Sequence, residues 1–185
     1  MDHLIDALDL EAAQNFLTSL GGTKFTFMAI PEGRETGIQR SVQVLHGEFD
    51  QVAQRLGMFN ITGHGIFFMV NEGDLQGRKA PNVVRVRALF VDLDGASPIP
   101  LVSSAGPPRI MVNSSPGRYH GYWPVDGCPL DDFKPAQQAL AKMFCGDTSV
   151  CDLPRVMRLP GFFHLKTDTP FLVQCVDPNT LRELE

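Results

Sequence analysis

Apolar residues recur four apart at Leu8, Ala12, Phe16 and Leu20, which predicts a helix over residues 4–20 that the Gly21-Gly22 pair stops. From Lys24 to Ile30 the apolar positions alternate through Phe25, Phe27 and Ala29, the period of a strand, and Pro31-Glu32-Gly33-Arg34 reads as a loop. Phe49, Val52, Ala53 and Leu56 restore helical spacing over 48–57, and a second strand is expected over 65–70, after Asn60-Ile61-Thr62-Gly63. Residues 71–83 form a polar loop, and alternation resumes over 84–91. The stretch 96–108 is rich in Pro, Ser and Gly, so the strands on either side are joined by a loop and not by a helix. Next come a short apolar strand at 109–113, a tight turn around Pro116-Gly117 and an aromatic strand at Tyr119-His120-Gly121-Tyr122-Trp123, together a hairpin. Asp131-Asp132 then cap a helix whose Phe133, Gln137, Leu140 and Phe144 repeat at three and four up to Gly146. A last strand is expected at 171–176, followed by a short tail over 177–185.

The order of elements predicts an α+β domain: a mixed or antiparallel sheet with flanking helices, in two sub-modules (about 1–80 and 81–185) that meet at a cleft. A chain of 185 residues builds one sizeable core, so a single domain spanning 1–185 is expected. The net charge of -5 argues against a generally basic nucleic-acid coat but leaves a local cationic groove open. No stretch reaches the length of a membrane span and Met1-Asp2-His3-Leu4 lacks the order of a signal peptide, so a cytoplasmic protein with no membrane partner is expected. The four cysteines show no CxxC spacing, which points to neither a zinc knuckle nor a disulfide framework.

Chemistry enters where the strand at 84–91 runs into Asp92-Leu93-Asp94-Gly95. Two carboxylates two residues apart on a strand project to the same side, while Val91 and Leu93 face the opposite layer. Like charges so close repel unless a cation sits between them, and a hard divalent ion such as Mg²⁺ or Mn²⁺ suits carboxylate oxygen. A polar turn rich in Asp and Gly is the plainer alternative. Arg85 and Arg87, just upstream, read either as a solvated strand face or as substrate contacts. His120, taken alone, reads as a buried structural histidine.

Three stretches together resemble the archaeo-eukaryotic primase (primase-polymerase) superfamily, in its plasmid and phage RepB-like branch. They are Phe90-Val91-Asp92-Leu93-Asp94-Gly95, the run from Ser114 to Trp123, and Asp147 to Lys166 with its Arg-x-x-Arg-Leu-Pro-Gly core; the likeness extends back through Asn60-x-x-Gly-x-Gly-Ile-Phe-Phe. The resemblance implies a template-directed nucleotidyltransferase that synthesises primers on single-stranded DNA from NTPs or dNTPs, and leaves primer extension as a DNA polymerase open. It implies two divalent ions, Mg²⁺ or Mn²⁺, held by Asp92, Asp94 and a third carboxylate, Asp147 by position, with Asp152 as the alternate. It implies that His120 contacts the triphosphate, and the positions assigned to nucleotide binding with it are Ser114, Ser115, Arg118, Arg155, Arg158 and Lys166. His164 stands where relatives often carry Asn, which leaves the contact there open. Partners of the same reading are a replicative helicase or a C-terminal helical domain. For template strands, Arg78, Lys79, Arg85, Arg87 and Tyr122 are the expected contacts, with Tyr119 and Trp123 as further stacking candidates, although such aromatics are more often core.

Two competitors share these letters. Phe-Val-Asp-Leu-Asp-Gly also resembles the haloacid-dehalogenase phosphatases, with Asp92 as nucleophile and Asp94 as acid/base, but the stretch from Gly95 to Arg109 is too short for that fold's crossover helix. The other is a replication-initiation or origin-binding module that keeps the fold without catalysis. Against it, a non-catalytic protein has no physical reason to keep a self-repelling carboxylate cluster.

Overall fold

The computed structural model describes residues 7–32, 40–166 and 169–182. One four-stranded sheet holds β1 (Lys24–Pro31), β2 (Gln43–Glu48), β3 (His64–Met69) and β9 (Val156–Arg158) in the order β2-β1-β3-β9. The other holds β6 (Ala88–Leu93), β7 (Ile110–Ser115), β8 (Arg118–Pro124) and β12 (Gln174–Val176) in the order β12-β7-β8-β6. Two small hairpins accompany them: β4 (Glu72–Gly73) with β5 (Val83–Arg85), and β10 (Phe163–His164) with β11 (Phe171–Leu172). The helices are α1 (Leu10–Leu20), α2 (Phe49–Ile61), α3 (Ile99–Val102), α4 (Leu130–Met143) and α5 (Pro178–Arg182). Every strand pairing among the described residues is antiparallel, as an α+β domain requires. This overturns the haloacid-dehalogenase alternative, which needs a parallel sheet.

The larger core lies between the sheets and helices α1 and α2, where Phe16 of α1 meets Phe68 at 5.1 Å and Tyr122 at 5.5 Å, both edge to face. A smaller core on the far side of the second sheet gathers Val91, Leu93, Leu101, Val102, Met111 and Leu181. Strand β6 feeds both, because successive side chains point to opposite faces: Ala88 and Phe90 enter the larger core, Val91 and Leu93 the smaller.

Several boundaries differ from the sequence pattern. Helix α1 begins at Leu10 because the Asp9 side chain accepts from the Ala12 N–H at 2.8 Å; the expected start at Leu4 lies outside the described residues, as do Gly33 and Arg34. Strand β2 was not foreseen, and α2 runs on to Ile61. The strand expected over 84–91 is two strands, broken at Val86-Arg87. The connection over 96–108 contains a helical turn, α3, started by Pro98 and Pro100, whose Leu101 packs onto the sheet over Gly121. A Cβ at Gly121 would fall 2.7 Å from Leu101 Cδ2, so glycine is what lets this short crossover lie flat. Asp131 and Asp132 occupy the first turn of α4 and make no cap; Pro129 holds that position, and the carboxylates act through the helix dipole. The stretch 171–176 splits, β11 pairing with β10 and β12 with β7, and the expected tail contains α5. Strand β9 sits in the first sheet, so its ladder crosses the division expected near residue 80.

Candidate active site

The three adjacent strands of the second sheet carry a row of apolar residues that turns polar at one end. On β7 the larger-core face reads Ile110, Val112, Ser114; on β8 it reads Tyr122, His120, Arg118; on β6 it reads Ala88, Phe90, Asp92, with Asp94 one residue past the strand. His120 is directly opposite Asp92 on one side and Val112 on the other. The polar end of the row is therefore a consequence of strand register and not of loop folding.

Asp92 is partly buried, with Oδ1 3.6 Å from His120 Nε2. Burial and then the charges of Asp94 and Asp147 push its carboxyl up to about 6, while Arg118 and Arg155 pull the other way. His120, 5% exposed, is driven down to about 3 by burial and then by the Arg158 charge, so its contact with Asp92 is not an ion pair at neutral pH. Its Nδ1 lies 3.3 Å from the Tyr122 hydroxyl. Asp94 meets Arg118 at 2.5 Å across the hairpin end, where both are half exposed.

Asp147 arrives from the other direction. Past α4 the chain turns through Cys145 at φ 56° and Gly146, where a Cβ would sit 2.6 Å from Val91 Cγ1 and 3.0 Å from the Asp92 carbonyl oxygen. That close approach lets the Asp147 N–H donate to the Asp92 carbonyl at 3.0 Å. Hydrogen bonds from Ser149 hold the Asp147 carboxyl below its ordinary range. Asp152 is committed to Arg155, whose Nε donates to Oδ1 at 2.6 Å, and Arg155 also bonds the Ser149 carbonyl at 3.1 Å.

The remaining groups come from β9 of the first sheet, from β10 and the residues after it, and from the end of β7. Arg158 on β9 stacks over Phe67 at 4.7 Å and forks onto Glu32, Nη2 to Oε1 at 2.6 Å and Nη1 to Oε2 at 3.2 Å. Lys166 is 66% exposed with Nζ 3.9 Å from Glu32 Oε1. His164 donates from Nδ1 to the Ser114 carbonyl at 3.2 Å, since a carbonyl only accepts, and its Nε2 is left as a buried acceptor with no donor. Ser114 and Ser115 are both buried, the Ser114 hydroxyl donating to the Arg118 carbonyl at 3.4 Å.

The expected template contacts divide. Arg78 and Lys79 are exposed in the loop before the 3-10 turn at Ala80–Asn82, and Arg85 is exposed but paired with Glu72 at 2.7 Å. Arg87 is 2% exposed and cannot meet a nucleic acid there: it lies over Phe25 at 4.2 Å and bonds the Val70 and Lys24 carbonyls. Burial lowers its pKa to about 10. Tyr122 is wholly enclosed in the larger core, because the chain continues the β8 core row through it. Trp123 stacks on Phe144 at 5.9 Å, and Tyr119 packs against the smaller core.

The supporting roles of three residues escaped the sequence reading. Gln137 of α4, whose spacing marks it only as a helix-face residue, accepts from the Phe90 N–H at 3.1 Å and donates to the Phe90 and Val150 carbonyls, sealing the open edge of β6 beside Asp92. Asn60 bonds both the N–H and the carbonyl of Phe163, tying α2 to the basic segment. Glu32 sits in what reads as a turn, and its partner lies 126 positions away, so no local signal announces it.

Residues 76–174, more than half of the sequence and all of the Asp92, His120 and Arg158 region, match the model of the RepB DNA-primase N-terminal domain. The chain belongs to that family. The fold agrees. The archaeo-eukaryotic primase domain of the cyanophage S-2L primase-polymerase is similar over 96% of this chain and 98% of its own, with a TM-score of 0.69 at 19% identity. Primase RepB′ is similar over 95% of this chain and 61% of its own (TM-score 0.67, 18% identity). The catalytic domain of RepB′ in complex with initiator DNA is similar over 95% and 92% (0.65, 18%). No curated protein matches. The RepB-primase domain thus has the archaeo-eukaryotic primase fold here, with two antiparallel sheets. Among its described residues no helix is long and apolar enough to cross a membrane.

Proposed function

We propose that this domain is a template-directed nucleotidyltransferase that makes primers on single-stranded DNA from nucleoside triphosphates and also extends them. The observation that carries the reading is the polar end of the β6-β8-β7 row, Asp92, His120 and Ser114, with Asp147 tied to the Asp92 backbone. Its DNA partner is supported by the RepB′ catalytic domain, which is known in complex with initiator DNA. A replicative helicase or an additional helical domain is the protein partner this reading carries.

Among the described residues no three His, Cys, Asp or Glu side chains form a ready-made metal cage. The donor set nevertheless fits a hard cation shared with a substrate: burial, and after it the charges of Asp94 and Asp147, raise Asp92, and three carboxylates brought this close are eased by a positive charge between them. Asp92, Asp94 and Asp147 would hold Mg²⁺ or Mn²⁺, which supplies stabilisation of the attacking and leaving oxygens. The chain's own groups do the rest. Neutral His120 offers the triphosphate a hydrogen-bond donor and not a charge, and Arg118, Arg155, Arg158 and Lys166 supply the cations. Of the expected template contacts, Arg78 and Lys79 are the exposed cations that would meet template phosphates.

The test is primer synthesis on single-stranded DNA with labelled rNTPs or dNTPs and either metal. Labelled products are expected from the wild type and none from Asp92→Ala or Asp94→Ala. A wild-type protein that binds the DNA but incorporates nothing with either metal would instead be a non-catalytic initiation module.

A further inference from the structure

We infer that Glu32 is the positioning residue for the triphosphate-binding cations, a role that rests on the nucleotidyltransferase reading. Its carboxylate is fully buried at the end of β1, yet it collects three hydrogen-bond donors from the basic segment, both terminal nitrogens of Arg158 and the Leu165 N–H at 3.2 Å, and has Lys166 Nζ 3.9 Å away as a second cation. The pocket is built for it. Glu32's own N–H donates to the Gly63 carbonyl at 2.9 Å, and a Cβ at Gly65 would fall 2.5 Å from the Glu32 carboxyl carbon. A larger residue at 65 would displace the carboxylate.

The chemistry of the fork decides between two roles. Glu32 engages Nη1 and Nη2 with one hydrogen each, so Arg158 keeps its Nε–H and two outer hydrogens for a second anion. The Arg158 guanidinium keeps only a small exposed part, and the carboxylate fixes its fork against Phe67 in one direction. The same carboxylate pins the backbone at Leu165, and hence the base of the Lys166 side chain. Glu32 therefore sets where two cations meet the phosphates, without touching the nucleotide itself.

The experiment measures nucleoside triphosphate affinity by calorimetry at low temperature with Glu32→Gln, alongside melting temperature. Glu32→Gln keeps the shape and loses the charge, and the expected result is a Kd raised roughly tenfold to hundredfold in protein that is still folded, the size of effect a slight misplacement of a binding group produces. A purely structural Glu32 gives a different signature: fewer competent molecules, hence a lower stoichiometry, with Kd unchanged, and that overturns the inference. A lower Kd also overturns it, since Glu32 would then be competing with the phosphates. If Glu32→Gln does not fold, Glu32→Asp retains the charge but reaches one guanidinium nitrogen; it should raise Kd by a smaller factor, and an unchanged Kd overturns the inference equally. A wild type that binds no triphosphate defeats the nucleotidyltransferase reading itself, which separates the two failures.

Discussion

The Asp147 N–H donates to the Asp92 carbonyl at 3.0 Å, so two carboxylates 55 positions apart are held side by side through their backbones and not through their side chains. Their separation is set by the main chain, and either side chain can be changed without undoing the contact.

That relationship makes a ranking testable. Asp147→Asn preserves the backbone bond and should lower the nucleotide incorporation rate by orders of magnitude, with little change in melting temperature. Asp152→Asn releases Arg155, a surface-type pair whose loss costs about 0–1 kcal/mol, and should lower the rate far less. Single-turnover incorporation by the two variants checks it, and the reverse order would make Asp152 the third ligand.

The pH dependence of metal-free stability follows from Asp92. Its folded value, about 6, lies above the ordinary 3.8, so this group's contribution is fully present below about pH 4 and is lost as pH rises through about 6. Asp92→Asn does not titrate. It should match the wild type near pH 4 and be more stable by about 2–3 kcal/mol at pH 7, the equivalent of roughly two pKa units. Adding Mg²⁺ should raise the wild-type melting temperature and leave that of Asp92→Asn unmoved. Denaturant melts with chelator and with Mg²⁺ at both pH values measure all of this.

His120 has both a buried partner and a proposed ligand. His120→Ala leaves the Tyr122 hydroxyl unpaired, a loss of about 1–3 kcal/mol. Triphosphate affinity of the still-folded fraction should fall as well. Calorimetry at low temperature with scanning fluorimetry on the same protein separates the effects: a lower melting temperature with unchanged affinity would remove His120 from the site.

Arg87 and the Arg78-Lys79 pair should part company. Arg87→Leu strands the Val70 and Lys24 carbonyls and should lower stability by several kcal/mol, each unmet buried group costing about 1–3 kcal/mol. Arg78→Ala with Lys79→Ala should leave melting unchanged, weaken single-stranded DNA binding and flatten its salt dependence. Fluorescence anisotropy against salt, beside melting curves, reports both.

The sequence by itself determined the period of most elements and the α+β class, and it singled out the residues expected to carry chemistry. The alternation through Phe90, Asp92 and Asp94 follows from the two-residue repeat of a strand, and the Pro116-Gly117 turn requires its hairpin; both are local facts of the backbone. What depended on residues far apart was decided only by tertiary structure. Arg87 looks like a surface residue on a polar strand face, and burial reverses that, because it packs over Phe25 and bonds the Val70 and Lys24 carbonyls; Tyr122 reads either as core or as a stacking face, and it continues a core row. Glu32 reads as turn polarity until Arg158, 126 positions later, closes on it. Asp147 becomes Asp92's neighbour only because Gly146 has no side chain to hold the two backbones apart. Local pattern carries the period and chemistry of a residue; which face is covered and which charges meet depends on how the sheets stack, and that is a property of the whole chain.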